Sequence, residues 1–193
     1  MKRLLFSLVL TGFFALDLDA QNIDHQTIIS DSLEVYLQAN YDKDYDKIMD
    51  MVYPRLFDIV AREDMIAMFK GIESEGIEFE LSNGGVDGIS SLVVHEQERF
   101  ARVDYHMDMM MRFTGIEYEK ESTQDVIYAS FQGQYGADNV SRKDGAFYIT
   151  TDKTMIAIAP LDEESWKFME MNRDQPQLLE MLLPREVIAA FSE

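Results

Sequence analysis

The chain has 193 residues, no cysteine, and 17 Lys+Arg against 36 Asp+Glu, a formal net charge of −19. Without cysteine there is no disulfide, thiolate metal site, cysteine nucleophile or lipid-modified amino-terminal cysteine. So acidic a surface repels phosphate backbones and anionic membranes, and no basic patch interleaved with aromatics offsets it, which argues against nucleic acid as a partner.

Met1 to Ala20 read as a cleaved export signal. Lys2 and Arg3 form a basic start, Leu4 to Leu16 is apolar apart from Ser7, Thr11 and Gly12, and Leu18-Asp19-Ala20 precedes Gln21 as the cleavage site. The apolar run is too short for a membrane span, which takes about 20 residues, and no later segment reads as one. Removing it leaves 15 Lys+Arg against 34 Asp+Glu, so the net charge stays at −19. The expectation is a protein exported from a Gram-negative cell, periplasmic or secreted. A single domain over residues 21–193 is expected, its 47% apolar content enough for one sizeable core.

From Asp24 to Tyr41 the spacing of Ile29, Leu33, Tyr36, Leu37 and Asn40 predicts a helix, with Asp24 or Ser30 as its cap. Asp44 caps a second, which turns Ile48, Met51 and Val52 inward, is interrupted near Pro54 and resumes over residues 54–60. A third begins at Arg62-Glu63-Asp64, its acids suiting the helix dipole, and is expected to bury Met65, Ile66, Met68, Phe69 and Ile72 before Gly76.

The period then changes to two. Ile77, Phe79 and Leu81 alternate with Glu78 and Glu80 up to a turn at Asn83-Gly84-Gly85, and Ser91 to His95 reads as a second strand. Arg99 to Phe113 is the most regular stretch in the chain. Ala101, Val103, Tyr105, Met107, Met109, Met111 and Phe113 fall on one face; Arg102, Asp104, His106, Asp108 and Arg112 fall on the other, with Met110 the one apolar intruder. That alternation is the pattern of a half-buried antiparallel strand. A polar loop over residues 114–125 leads to a fourth strand from Val126 to Tyr135, and Lys143-Asp144-Gly145 marks a hairpin between Val140 and Phe147. Thr154 to Ala159 and Ser165 to Met171 supply two more strands, the unbroken apolar run Met155 to Ala159 predicting a strand covered on both faces. Leu178, Leu179, Met181 and Leu182, then Val187, Ile188 and Phe191 around Pro184, read as a C-terminal helical segment. The expected fold is α+β, three N-terminal helices packed on an antiparallel sheet of four to six strands.

The step from Asn40-Tyr41-Asp42-Lys43-Asp44-Tyr45 to Tyr53-Pro54 between the first two helices, with the late strand Ser165-Trp166-Lys167-Phe168, resembles the nuclear transport factor two-like superfamily of cystatin-like α+β cones. The resemblance spans about residues 24–171. It implies a strongly curved sheet wrapped around the helices and a pocket at the open end of the cone; the terminal helical segment, Gln175 to Phe191, lies beyond the superfamily's usual closing strand and is placed to cap that pocket. It does not fix a function, since the superfamily holds isomerases, dehydratases, cyclases and members without catalysis.

General acid and base work in that superfamily pairs an Asp with a Tyr or His inside the cone. The catalytic candidates are therefore Asp104, His106 and Asp108 with Tyr36. Alternation weighs against them, because it places the three strand residues on the polar face. No metal or other cofactor is expected. His25, His95 and His106 lack ligand spacing, and Asp42, Asp44 and Asp46 imitate a calcium loop whose turn glycine is Lys47 and whose bidentate acid is Tyr53. Methionines at 107, 109, 110 and 111 suit core filling or an adaptable apolar groove better than Cu(I). The reading is an exported, non-catalytic domain that binds a small apolar ligand or a protein partner, or pairs as a homodimer through its charged sheet face. Its pocket is expected from Tyr36, Tyr41, Phe69, Val103, Tyr105, Met107, Met109, Met111 and Trp166. The alternative is an isomerase- or dehydratase-like enzyme.

Overall fold

Ile29, Leu33 and Leu37 recur every four residues and set the buried stripe of the first helix, α1 (Asp17–Tyr41). The computed structural model describes residues 17–172 and 175–192. Met1 to Leu16, the basic start and apolar run of the expected export signal, lie outside the described residues. Asp44 caps α2 (Tyr45–Met51) by accepting the Lys47 N–H at 3.2 Å. Pro54 then opens a 3-10 turn (Pro54–Asp58), its missing N–H costing nothing at a first turn. In α3 (Arg62–Ser74) the expectation of burial fails at Met68, which is 57% exposed. Met65, Ile66 and Phe69 are the residues that face Ile48, Met49 and Val52.

Among the described residues six strands form one sheet: β1 (Ile77–Ile89), β2 (Val93–His95), β3 (Glu98–Phe113), β4 (Val140–Lys143), β5 (Ala146–Pro160) and β6 (Lys167–Glu170). The order is β1-β3-β5-β4, with β2 also on β3 and β6 also on β5, and every pairing between these strands is antiparallel. Asn83-Gly84-Gly85 does not turn the chain. β1 runs through it, absorbing one extra residue between Ser82 and Gly85 and another between Val86 and Gly88. Such bulges bend and twist a strand, which is why turn-type residues sit mid-strand here. Gly84 brings its backbone against α1 and donates its N–H to the Tyr41 hydroxyl at 2.7 Å; a Cβ there would lie 2.4 Å from that oxygen. Gly84→Ala is expected to lower stability by about 1–3 kcal/mol. Adding Tyr41→Phe should restore part of the loss, as denaturant titration of the single and double variants would show.

Val126 to Tyr135 is helix, not strand: α4 covers Glu121–Tyr135. Partly buried positions recur at Gln124, Ile127, Tyr128, Phe131 and Tyr135, the helical period, while Val126 is 71% exposed. The pull is non-local. Phe131 packs edge-on against Phe147 at 5.4 Å and lies 6.3 Å from Phe113, and Tyr128 stacks on Phe147. The hairpin of Asp144 (φ +52°) and Gly145 (φ +73°) then joins β4 to β5 as the sequence predicts.

Met155, Ile156, Ala157, Ile158 and Ala159 are all at most 2% exposed, and the reason is cover on both faces. Cross-strand partners share a face, so Val103, Tyr105, Met155, Ala157 and Phe168 meet Ile29, Leu33 and Leu37 of α1. Ile156, Ile158, Phe100 and Met169 meet Leu179 and Leu182 of α5 (Pro176–Leu182) and Val187 and Phe191 of α6 (Arg185–Phe191). The C-terminal pair thus covers the far face of the sheet from α1 rather than closing the mouth of a helix-side pocket.

Candidate functional site: an acidic cleft on an uncovered strand edge

β5 is longer than either strand on its outer side. β4 pairs with residues 146–149 and β6 with residues 155–158, so Thr150 to Thr154 have β3 on one side and, among the described residues, no strand on the other. The Met171 N–H bonds the Thr154 carbonyl at 2.9 Å from that outer side. Backbone groups repeat their direction every second residue, so Asp152 and Thr150 also turn their N–H and C=O outward. Among the described residues the Asp152 carbonyl takes a 3.4 Å contact from the Thr151 hydroxyl and no main-chain N–H from that side. β6 is better covered, its outer side taking Val52 as a bridge and the Tyr53 N–H on the Phe168 carbonyl at 3.0 Å.

A cleft of about 650 Å³ follows this bare stretch and draws on both faces of the sheet. Tyr105, Thr151, Lys153 and Glu170 line the side toward α1, with Gln134 and Tyr135 from the end of α4. Asp87, Asp104, Asp152 and Thr154 line the other, and Met171 and Asn172 close one end.

On the α1 side Tyr105 has its ring buried and donates its hydroxyl to Glu170, which also accepts from Lys153 Nζ at 3.2 Å. Burial, then the Glu170 charge and hydrogen bond, push the Tyr105 hydroxyl far above its usual range. Burial, then the same carboxylate, push Tyr36 up to about 12, and burial with Glu98 does the same to Tyr53. The folded chain therefore holds these protons after an unfolded tyrosine, at its ordinary 10.0, has lost its own. Stability is fully present below pH 10 and is expected to fall between pH 10 and about 12. Denaturant titrations along that range should show the decline, and Tyr36→Phe should flatten it.

On the other side Thr154 donates to Asp104 at 2.8 Å, and Arg102 lies 3.3 Å from the same carboxylate. Asp87, the extra residue of the second bulge, pairs with His106 at 2.7 Å. Asp108 accepts from Asn83 at 2.8 Å and Thr150 at 2.7 Å, and these two hydrogen bonds hold its carboxyl below the usual range.

The catalytic candidates therefore separate. Asp104, His106 and Asp108 share the face away from α1, with the side chains of Asp104 and His106 43% and 44% exposed. Tyr36 lies on the opposite face beside Phe168. Asp108 is held ionised, which unsuits it as an acid, and Asp104 and His106 already have protein partners. His95 and His106 are not neighbours, since His95 pairs with Glu98 and His106 with Gly85. Among the described residues no group of three or more metal-ligating side chains assembles.

Of the pocket candidates, Val103, Tyr105, Met107 and Trp166 are at most 7% exposed and pack with one another in the α1-side core, with Tyr36 and Tyr41 against it. Trp166 also carries the Arg99 guanidinium 5.0 Å over its ring. Met109 and Met111 are half-buried further along β3. Phe69 lies elsewhere, stacked on Tyr45 at 5.8 Å in the cluster between α2 and α3. Asp152, Lys153, Thr154 and Glu170 are not singled out by the sequence reading. The first three share one local signal, the polar run Thr150 to Thr154 between the two apolar halves of β5.

What the cleft offers chemically is Asp152 together with the partnered carboxylates of Asp87, Asp104 and Glu170, beside main chain that no described strand covers, an arrangement that attracts positive charge and extended backbone. Among the described residues, no helix is long and apolar enough to cross a membrane. No family model and no curated protein matches the chain. Among solved structures it is similar to the intermembrane space region of chloroplast protein ARC6, at a TM-score of 0.40 and 11% identity over 77% of this chain and 92% of that one, a distant likeness.

Proposed function

We propose that this chain is an exported, non-catalytic binding domain whose site is the acidic cleft along Thr150 to Thr154, and whose ligand is a positively charged segment of a polypeptide partner. The observation that carries this is the coincidence, at one place, of outward backbone groups of Thr150 and Asp152 with the carboxylates of Asp87, Asp104, Asp152 and Glu170. The apolar residues that would line a greasy pocket are largely spent on one another in the core, which favours a polar partner over a small apolar ligand. Lys2-Arg3 and the apolar run behind them support export. Helices leading into an antiparallel sheet, with Trp166 just ahead of β6, support membership of the nuclear transport factor two-like superfamily.

Calorimetric titration with short cationic and anionic peptides tests the reading. Cationic peptides should bind, more weakly as salt rises. Asp152→Asn with Glu170→Gln should weaken them roughly tenfold, the equivalent of about 1.4 kcal/mol. Equal affinity for both peptide charges, or an unaffected double variant, would overturn it.

A further inference from the structure

Resting on that reading, we propose that the partner enters as an added β-strand, filling the gap between β4 and β6 with an extended segment that carries lysine or arginine at alternate positions. Length comes first. The bare stretch Thr150 to Thr154 is five residues long, about 16 Å of strand. β4 begins at Val140 and β6 ends at Glu170, so a segment can lie in the sheet for only three or four residues before it must leave the plane. The cleft supplies that exit, since its lining runs over both faces of β5.

Main-chain pairing comes second. A residue opposite Asp152 in an antiparallel addition gives its N–H to the Asp152 carbonyl and takes the Asp152 N–H, and Thr150 offers the same pair one step along. The Thr154 carbonyl is already bonded to the Met171 N–H and ends the ladder.

Charge pattern comes third, and it sets the register. On the face away from α1, three carboxylates follow β5 at every second residue. Asp108 is bonded to Thr150, Asp152 stands on β5 itself, and Asp104 is bonded to Thr154. Side chains of an added strand that point to this face repeat at the same two-residue interval. Lysine or arginine stems there meet Asp152 directly across one strand spacing of about 4.8 Å and lean over β5 toward Asp104 and Asp108, which stand on β3 one spacing further. Toward α1 the added side chains meet Lys153 and Glu170, whose charges are already paired with each other at 3.2 Å, so the intervening positions are neutral. The result is a basic, neutral, basic alternation, a narrower demand than positive charge alone.

The test uses the whole protein and three capped pentapeptides: Lys-Val-Lys-Val-Lys, the same peptide N-methylated at its lysines, and Glu-Val-Glu-Val-Glu. Affinity is read by calorimetry and amide exchange by NMR. The first peptide should bind and slow exchange at the Thr150 and Asp152 amides at least tenfold. N-methylation, which keeps the charge and removes the donors, should weaken binding at least tenfold, and the acidic peptide should not bind. If the methylated peptide binds as well as its parent, with the two amides unprotected, strand addition is overturned while the acidic cleft stands as a cation site. If the basic peptide binds no better than the acidic one, both are overturned.

Discussion

Replacing Phe147 by alanine is expected to cost about 3–5 kcal/mol, the range for a fully buried aromatic truncated in a core. Phe147 is completely buried and touches Phe113, Tyr128 and Phe131. It is the ring on which α4 sits. Its loss leaves a cavity and takes away the non-local contacts that hold Val126 to Tyr135 helical, since the exposed face of α4 contributes little of its own. Circular dichroism of the variant should therefore show lost helix before global unfolding. Denaturation with no early helical loss would mean that α4 stands on its own propensity.

Val187→Asp is the second large effect, expected to cost about 4 kcal/mol. Val187 is fully buried on the face of the sheet away from α1, against a cluster holding Phe100, Ile156, Ile158 and Met169. A carboxylate there has no partner and escapes by pulling α6 off the sheet. The loss is then about what docking Val187 and Phe191 contributes, at roughly 1.5–3 kcal/mol for each apolar side chain. Exposed apolar sheet should bind a hydrophobic dye while the α1 face stays packed. A variant as stable as the parent would contradict the two-sided cover of β5.

Much of this architecture is legible in the residues alone. The alternation from Arg99 to Phe113 gives β3 its two faces, and the run Met155 to Ala159 foretells cover on both sides, because burial demands apolar residues locally whatever covers them. The Asp44 cap and the Asp144-Gly145 turn are local chemistry and read directly. What escapes the sequence is decided at a distance. Val126-Ile127-Tyr128 carries strand-forming residue types, and only Phe113 and Phe147, far along the chain, select the helix. Asn83-Gly84-Gly85 has turn composition, yet its small residues serve a bulge that lets Tyr41 approach the backbone. The cleft is harder still. Asp104, Tyr105 and His106 draw attention by type, but the bare edge of β5 exists because β4 begins only at Val140 and β6 ends at Glu170. Glu170 matters only because the fold brings it to Tyr105 and Lys153.

That bare edge is the point on which the account turns, and amide hydrogen exchange of the free protein measures it residue by residue. The Thr150 and Asp152 amides, turned outward, are expected to exchange at least about a hundredfold faster than those of Thr151 and Lys153, which bond to β3 in the same strand. A zigzag of fast and slow amides along Thr150 to Lys153 is the predicted result. Uniform protection across those four residues would show the edge to be covered and would contradict the account.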